Sequence, residues 1–150
     1  MQISINANRC EPSPMRKFHP LAVAAKKEGK KIYHLNIGQP DLPTPEAYYE
    51  AIHAFADRTL EYEASPGRPE LIGAVKKYYA DLGVELEDND VLITTGGSEA
   101  LLFTCLSILD PYTEVIIPEP YYPNYTTFVH AAGGVIRALP TNPWEGYRYA

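Results

Sequence analysis

Four short segments concentrate residue types able to hold an anion, a carboxylate or a flat ring. Thr94-Thr95-Gly96-Gly97-Ser98-Glu99-Ala100 follows the apolar run that starts at Val91. Two glycines let the backbone bend and approach a ligand closely, and the first N–H groups of a following helix favour an anion. Ser98 adds a hydroxyl and Glu99 a further backbone N–H. The pattern is neither a Walker loop nor Gly-x-Gly-x-x-Gly, so no nucleotide motif stands behind it. It also reads as a glycine-rich cap that serves only its own helix.

The second segment, Asn36-Ile37-Gly38-Gln39-Pro40-Asp41, places Gly38 where a backbone must turn or leave space, on a path stiffened by Pro40, Pro43 and Pro45. An ordinary proline-punctuated connection fits it equally. The third, Glu61-Tyr62-Glu63-Ala64-Ser65-Pro66-Gly67, sets a tyrosine hydroxyl in a turn-rich loop, where it can donate to an oxyanion. The chain has 12 tyrosines, so packing is the simpler role for any single one. The fourth, Pro118-Glu119-Pro120-Tyr121-Tyr122-Pro123-Asn124-Tyr125, lies at the end of a predicted strand. Ligands of open α/β sheets collect beyond the carboxyl ends of strands, and an aromatic there stacks on a heterocycle or covers a helix start.

The elements that carry these segments alternate. Helices are expected at Ser13–Glu28, with Ser13 as cap and Pro20 kinking or splitting it, from Thr44-Pro45 through Tyr48, Ile52 and Phe55, and at Pro69–Leu82. Strands are expected at Ile32–Asn36 and Val91–Thr94. Thereafter helix Ser98–Leu109, strand Glu114–Pro118, helix Tyr125–Ala132 and strand Gly134–Leu139 succeed one another. That rhythm implies a mainly parallel sheet of the α/β class. Residues 1–45 lack it, and read as an N-terminal arm and a portion of a small domain. Residues 46–150 read as the first part of a large cofactor-binding domain.

Composition narrows the function classes. Hydrophobic residues make up 45% and charged residues 21% of the 150, as in folded globular chains. A net charge of −6, with basic residues in scattered pairs, argues against nucleic acid as a partner. No stretch nears the roughly 20 apolar residues that span a bilayer, and a cytoplasmic location is the expectation. Cys10 and Cys105 have no metal-type spacing, and no metal site is expected. The stretch Glu145–Ala150 reads as an interruption within a fold rather than a terminus.

In their order and spacing, Leu35-Asn-Ile-Gly-Gln-Pro-Asp41, Tyr62-Glu-Ala-Ser-Pro-Gly67, Ile93-Thr-Thr-Gly-Gly-Ser-Glu-Ala-Leu101 and the Tyr122 segment resemble class I/II aminotransferases of the fold-type-I pyridoxal-phosphate superfamily. The resemblance implies a three-layer α/β/α large domain, pyridoxal phosphate as cofactor, and amino-acid and 2-oxo-acid substrates. It implies a homodimer with shared active sites. It assigns Gly38 to the substrate carboxylate, Gly97, Ser98 and Glu99 to the cofactor phosphate, and Tyr122 to the face of the pyridine ring. Tyr62 would reach the phosphate bound by the other subunit. The family's Schiff-base lysine, its pyridine-nitrogen acid and its carboxylate-gripping arginine match nothing in these residues and are expected beyond position 150, so no catalytic residue is assigned here. A lyase on the same scaffold and a non-catalytic phospholigand-binding or regulatory module stay open as alternatives.

Overall fold

A computed structural model describes residues 1–11 and 13–149. The chain forms two compact units, one made of Met1–Ile32 with Thr94–Ala150 and the other of Tyr33–Ile93.

The first unit is built on two parallel strands, β1 (Glu114–Pro118) and β2 (Val135–Leu139), in register from Glu114 opposite Val135 to Pro118 opposite Leu139. Parallel neighbours need a crossover, and α6 (Asn124–Ala131) supplies it. Val129, only 3% exposed, is the buried centre of this unit. The α6–β2 junction closes tightly over it. Gly133 turns at φ 87°, and Gly134 N–H donates to Val129 O at 2.9 Å. A Cβ at Gly134 would lie 2.9 Å from Val129 Cγ1 and 3.1 Å from Leu109 Cδ1, so the approach requires glycine. Helix α5 (Gly97–Ile108) packs on α6. The short α1 (Ile5–Asn8) also packs on α6, and neither its helix nor that contact is predicted by the sequence pattern.

The expected α/β alternation therefore appears, with β1 as predicted and α5, α6 and β2 displaced by about a residue at their ends. The N-terminal helix differs. Pro14–Arg16 is a 3₁₀ turn, and α2 (His19–Lys27) starts afresh with Pro20 in its first turn. The proline begins that helix instead of kinking it, since a first-turn N–H has no acceptor to lose. Ser13 makes no capping bond, and its buried Oγ has no hydrogen-bond partner among the described residues.

In the second unit, α3 (Glu46–Ala54) begins after Pro45, and α4 (Pro69–Ala80) ends at a turn through Gly83 (φ 82°). Ile72 of α4 is its buried residue, 8% exposed. The strands expected at Ile32–Asn36 and Val91–Thr94 are absent; among the described residues only β1 and β2 pair. Val91 is extended (φ −121°, ψ 123°), and Ile93 N–H donates to Pro66 O at 2.9 Å. A strand needs a ladder of N–H and C=O groups exchanged with a neighbouring strand, and among the described residues neither stretch forms one. No helix among the described residues is long and apolar enough to cross a membrane.

Candidate functional site

The glycine pair opens α5 in an arrangement suited to an anion. Gly96 holds φ 82° and ψ 171°, a region essentially closed to side chains, and caps the helix with no side-chain hydrogen bond. Its N–H donates to Thr94 O at 2.8 Å, and Thr94 Oγ1 donates to Gly96 O at 3.0 Å. Helix geometry leaves the first N–H groups without intrahelical acceptors. Those of Gly97, Ser98 and Glu99 find none elsewhere among the described residues, and neither does the Ser98 hydroxyl. Nothing lies within 4 Å of where a Cβ would stand on Gly96 or Gly97, so the space over the cradle is open.

Glu99 divides into two parts. Its backbone N–H belongs to the open set, whereas its carboxylate accepts the Thr95 N–H at 2.5 Å. That charge disfavours an anion, but it is held at Thr95, ahead of the cap, and leaves the three open N–H groups untouched. Three uncommitted N–H donors, one hydroxyl and a helix dipole form a donor set that fits a phosphate monoester. Cys105, further along α5, is partly buried, and that burial pushes its thiol above the usual range. It behaves as a small packed thiol rather than a nucleophile.

Tyr122 lies in the same unit, beyond the carboxyl end of β1. Its hydroxyl accepts from Asn124 Nδ2 at 2.8 Å, and its carbonyl accepts the Tyr125 N–H at 3.0 Å. The Tyr125 ring meets it edge-on, centroids 5.7 Å apart at 87°. Tyr125 is also stacked with Tyr121 at 6.4 Å and 12°. The first turn of α6 thus orients a half-exposed ring whose free face can take a flat partner. Asn124 sits in the motif that exposed Tyr122 to notice, yet its orienting bond has no signature in sequence.

Gly38 and Tyr62 belong to the second unit. Gly38 has no neighbour within 4 Å of a built Cβ, and Gln39 N–H donates to Ile37 O across it at 3.0 Å. Its N–H is presented in a tight turn. Tyr62 is fully exposed, and its hydroxyl has no partner among the described residues. It lines a cleft of about 690 Å³ with Phe55, Asp57, Arg58, Leu60 and Arg68. Arg68 is engaged by Glu63 and Glu70 at 3.5 and 3.6 Å.

Comparison with known proteins bears on all four segments. Residues 30–149 match the family described as aminotransferase class I and II. The chain is 35% identical to a probable aspartate/prephenate aminotransferase of Thermus aquaticus, over 97% of its own length and 38% of the relative's. Among solved structures, the aspartate aminotransferase of Rhizobium meliloti superimposes with a TM-score of 0.87 at 31% identity, covering 99% of this chain and 38% of that one. An alanine aminotransferase of Pyrococcus furiosus gives 0.84 at 32%, covering 97% and 38%. The chain thus spans less than two-fifths of the length of these relatives.

Proposed function

The chain belongs to the class I and II aminotransferase family, and from that premise we propose that it forms the phosphate-holding and ring-stacking part of a pyridoxal-phosphate-dependent aminotransferase. The whole enzyme moves an amino group from an amino acid to a 2-oxo acid. The observation that carries the reading is the uncapped start of α5, where Gly96 leaves three N–H groups and the Ser98 hydroxyl open in a family that holds a phosphorylated cofactor.

In this reading Gly97, Ser98 and Glu99 bind the phosphate through their N–H groups and the Ser98 hydroxyl. Tyr122 would stack on the pyridine ring, and Gly38 would present its N–H to the substrate carboxylate. When bound, the cofactor supplies an electron sink for the bond broken at the substrate α-carbon. The full exposure and unpaired hydroxyl of Tyr62 support a role outside its own unit, on the phosphate held by a second subunit of a homodimer. The lysine that anchors the cofactor, with the acid and arginine that complete the site, lies beyond residue 150. Residues 1–45 serve as arm and small-domain portion, 46–150 as the start of the large domain, in a cytoplasmic enzyme. Relatives named for aspartate, prephenate and alanine leave the donor amino acid open.

The test is a spectrum of the full-length protein with added pyridoxal phosphate. A visible absorption band should appear, fade on addition of the true amino donor and return on addition of a 2-oxo acid. No band at saturating cofactor defeats the reading. A band that never fades with any amino acid, or that fades with no recovery, removes transamination while leaving cofactor binding.

A further inference from the structure

The N-terminal residues lie along α6 from one end to the other. At the carboxyl end, Asn6 Nδ2 donates to Ala131 O at 3.3 Å, and Arg9 Nη2 donates to Gly134 O at 3.1 Å. His130 Nδ1 donates in turn to Arg9 O at 3.0 Å, and Cys10 Sγ reaches Thr127 O at 3.7 Å. Arg9 is thereby gripped through both its side chain and its backbone. Toward the amino end, Glu11 and Ser13 share a small cavity of about 140 Å³ with Asn124, Thr126 and Thr127. Pro14 lines an opening beside Pro120, Tyr121 and Pro123.

Both ends of α6 are therefore engaged, by different groups. Its first turn orients Tyr122 through Asn124 and Tyr125; its last turn is tied to the segment around Arg9. We propose that Asn6–Cys10 acts as a strap whose positioning residue, Arg9, holds α6 on β2 and so sets the angle of the Tyr122 ring. The proposal rests on the assignment of Tyr122 as the ring-stacking residue. Geometry supplies the lever. Eight helical residues span about 12 Å, so a pivot of about 10° at the Gly134 end displaces the Tyr122 end by about 2 Å. Displacements of that order are large for a group that must stay parallel to a bound ring. Arg9 suits the task because a guanidinium hydrogen bond to a carbonyl is charge-assisted and directional. Gly134 O, the acceptor, belongs to the junction residue whose built Cβ would meet Val129 at 2.9 Å, so the tie lands where α6 turns closely into β2.

The experiment uses the full-length protein with Arg9→Ala, Arg9→Lys and Asn6→Ala. Amide hydrogen exchange over residues 124–134 is followed without cofactor. The cofactor's visible circular dichroism, its dissociation constant and the thermal midpoint are followed with pyridoxal phosphate. Arg9→Ala should speed exchange at both ends of α6, reduce the dichroism and raise the dissociation constant about two- to tenfold, as a mis-set stacking ring implies. The thermal midpoint should fall by a few degrees, since the fold loses the same bond. Arg9→Lys, which keeps one donor, should restore most of the dichroism, and Asn6→Ala should repeat the pattern more weakly. Unchanged exchange at Asn124–Thr126, or normal dichroism per bound cofactor, overturns the strap. A protein that binds no cofactor at all defeats the proposed function instead, while the exchange measurement still decides whether Arg9 holds α6. If Arg9→Ala does not fold, Asn6→Ala and Arg9→Lys decide the same question.

Discussion

Gly96 and Gly97 are adjacent and chemically identical, yet alanine should act on them in opposite ways. At Gly96 the backbone sits at φ 82° and ψ 171°, and nothing lies within 4 Å of a built Cβ. The penalty for Gly96→Ala is therefore purely conformational, about 1–3 kcal/mol for a side chain forced into that region. Gly97 is the first residue of α5, without positive φ and with equally open surroundings. Gly97→Ala should be neutral or stabilise by up to about 1 kcal/mol, because alanine loses less backbone entropy on entering a helix. The two variants of the cofactor-free full-length protein should differ by about 1–4 kcal/mol in urea unfolding. Cofactor titration should then invert the order of merit for Gly97. Its Cβ would occupy the open space over the N–H groups proposed to hold the phosphate, weakening binding about ten- to a hundredfold for one displaced charge-assisted bond. Gly97→Ala would thus be the more stable protein and the poorer binder. Equal stability of the two variants refutes the conformational argument. Undiminished cofactor affinity in Gly97→Ala would falsify the placement of the phosphate at this helix start.

Tyr62→Phe should leave folding unchanged, since the ring is fully exposed, and weaken cofactor retention by about 1 kcal/mol, at most about 3; retention equal to wild type in gel filtration removes Tyr62 from the phosphate. Gly134→Ala should destabilise by about 1–3 kcal/mol, because its Cβ meets buried Val129 at 2.9 Å and the Thr113 carbonyl at 3.3 Å, and a thermal midpoint within error of wild type would show that the junction yields. Across the strands, the hydrogen bonds from Arg137 hold the Glu114 carboxyl below its ordinary range. A carboxylate so depressed stabilises the fold above its unfolded pKa and loses that contribution as pH falls through the folded value. Glu114→Gln should flatten the acid limb of stability against pH slightly, and the difference should shrink in high salt because both side chains are exposed. An identical acid limb in the two proteins would mean that the pair adds nothing to the fold.

Much of this molecule is local chemistry, and local chemistry is what a sequence displays. The strand Glu114–Pro118, the helix that follows Gly96-Gly97 and the aromatic segment after Pro118 depend on near-neighbour preferences: apolar runs, glycine turns, prolines that end strands. The ordered motifs at Gly38, Tyr62, Gly97–Glu99 and Tyr122 were legible for the same reason, since each lies within a few residues of its own punctuation. Three features were not. Ile32–Asn36 and Val91–Thr94 look like strands by composition, but a strand is made by its partner, and no residue type announces whether one is present. Glu99 reads as the source of a backbone N–H, and only the folded turn shows its carboxylate committed to Thr95. Arg9 and His130 are separated by 121 residues, and nothing periodic links them. The sequence by itself determined where glycine turns, a serine hydroxyl and clustered tyrosines stand, and so which segments are proposed to hold a phosphate, a carboxylate and a ring. Tertiary structure alone decided which donors are left uncommitted and what grips the helix that aims the ring, because hydrogen bonds between distant backbone groups leave no pattern along the chain.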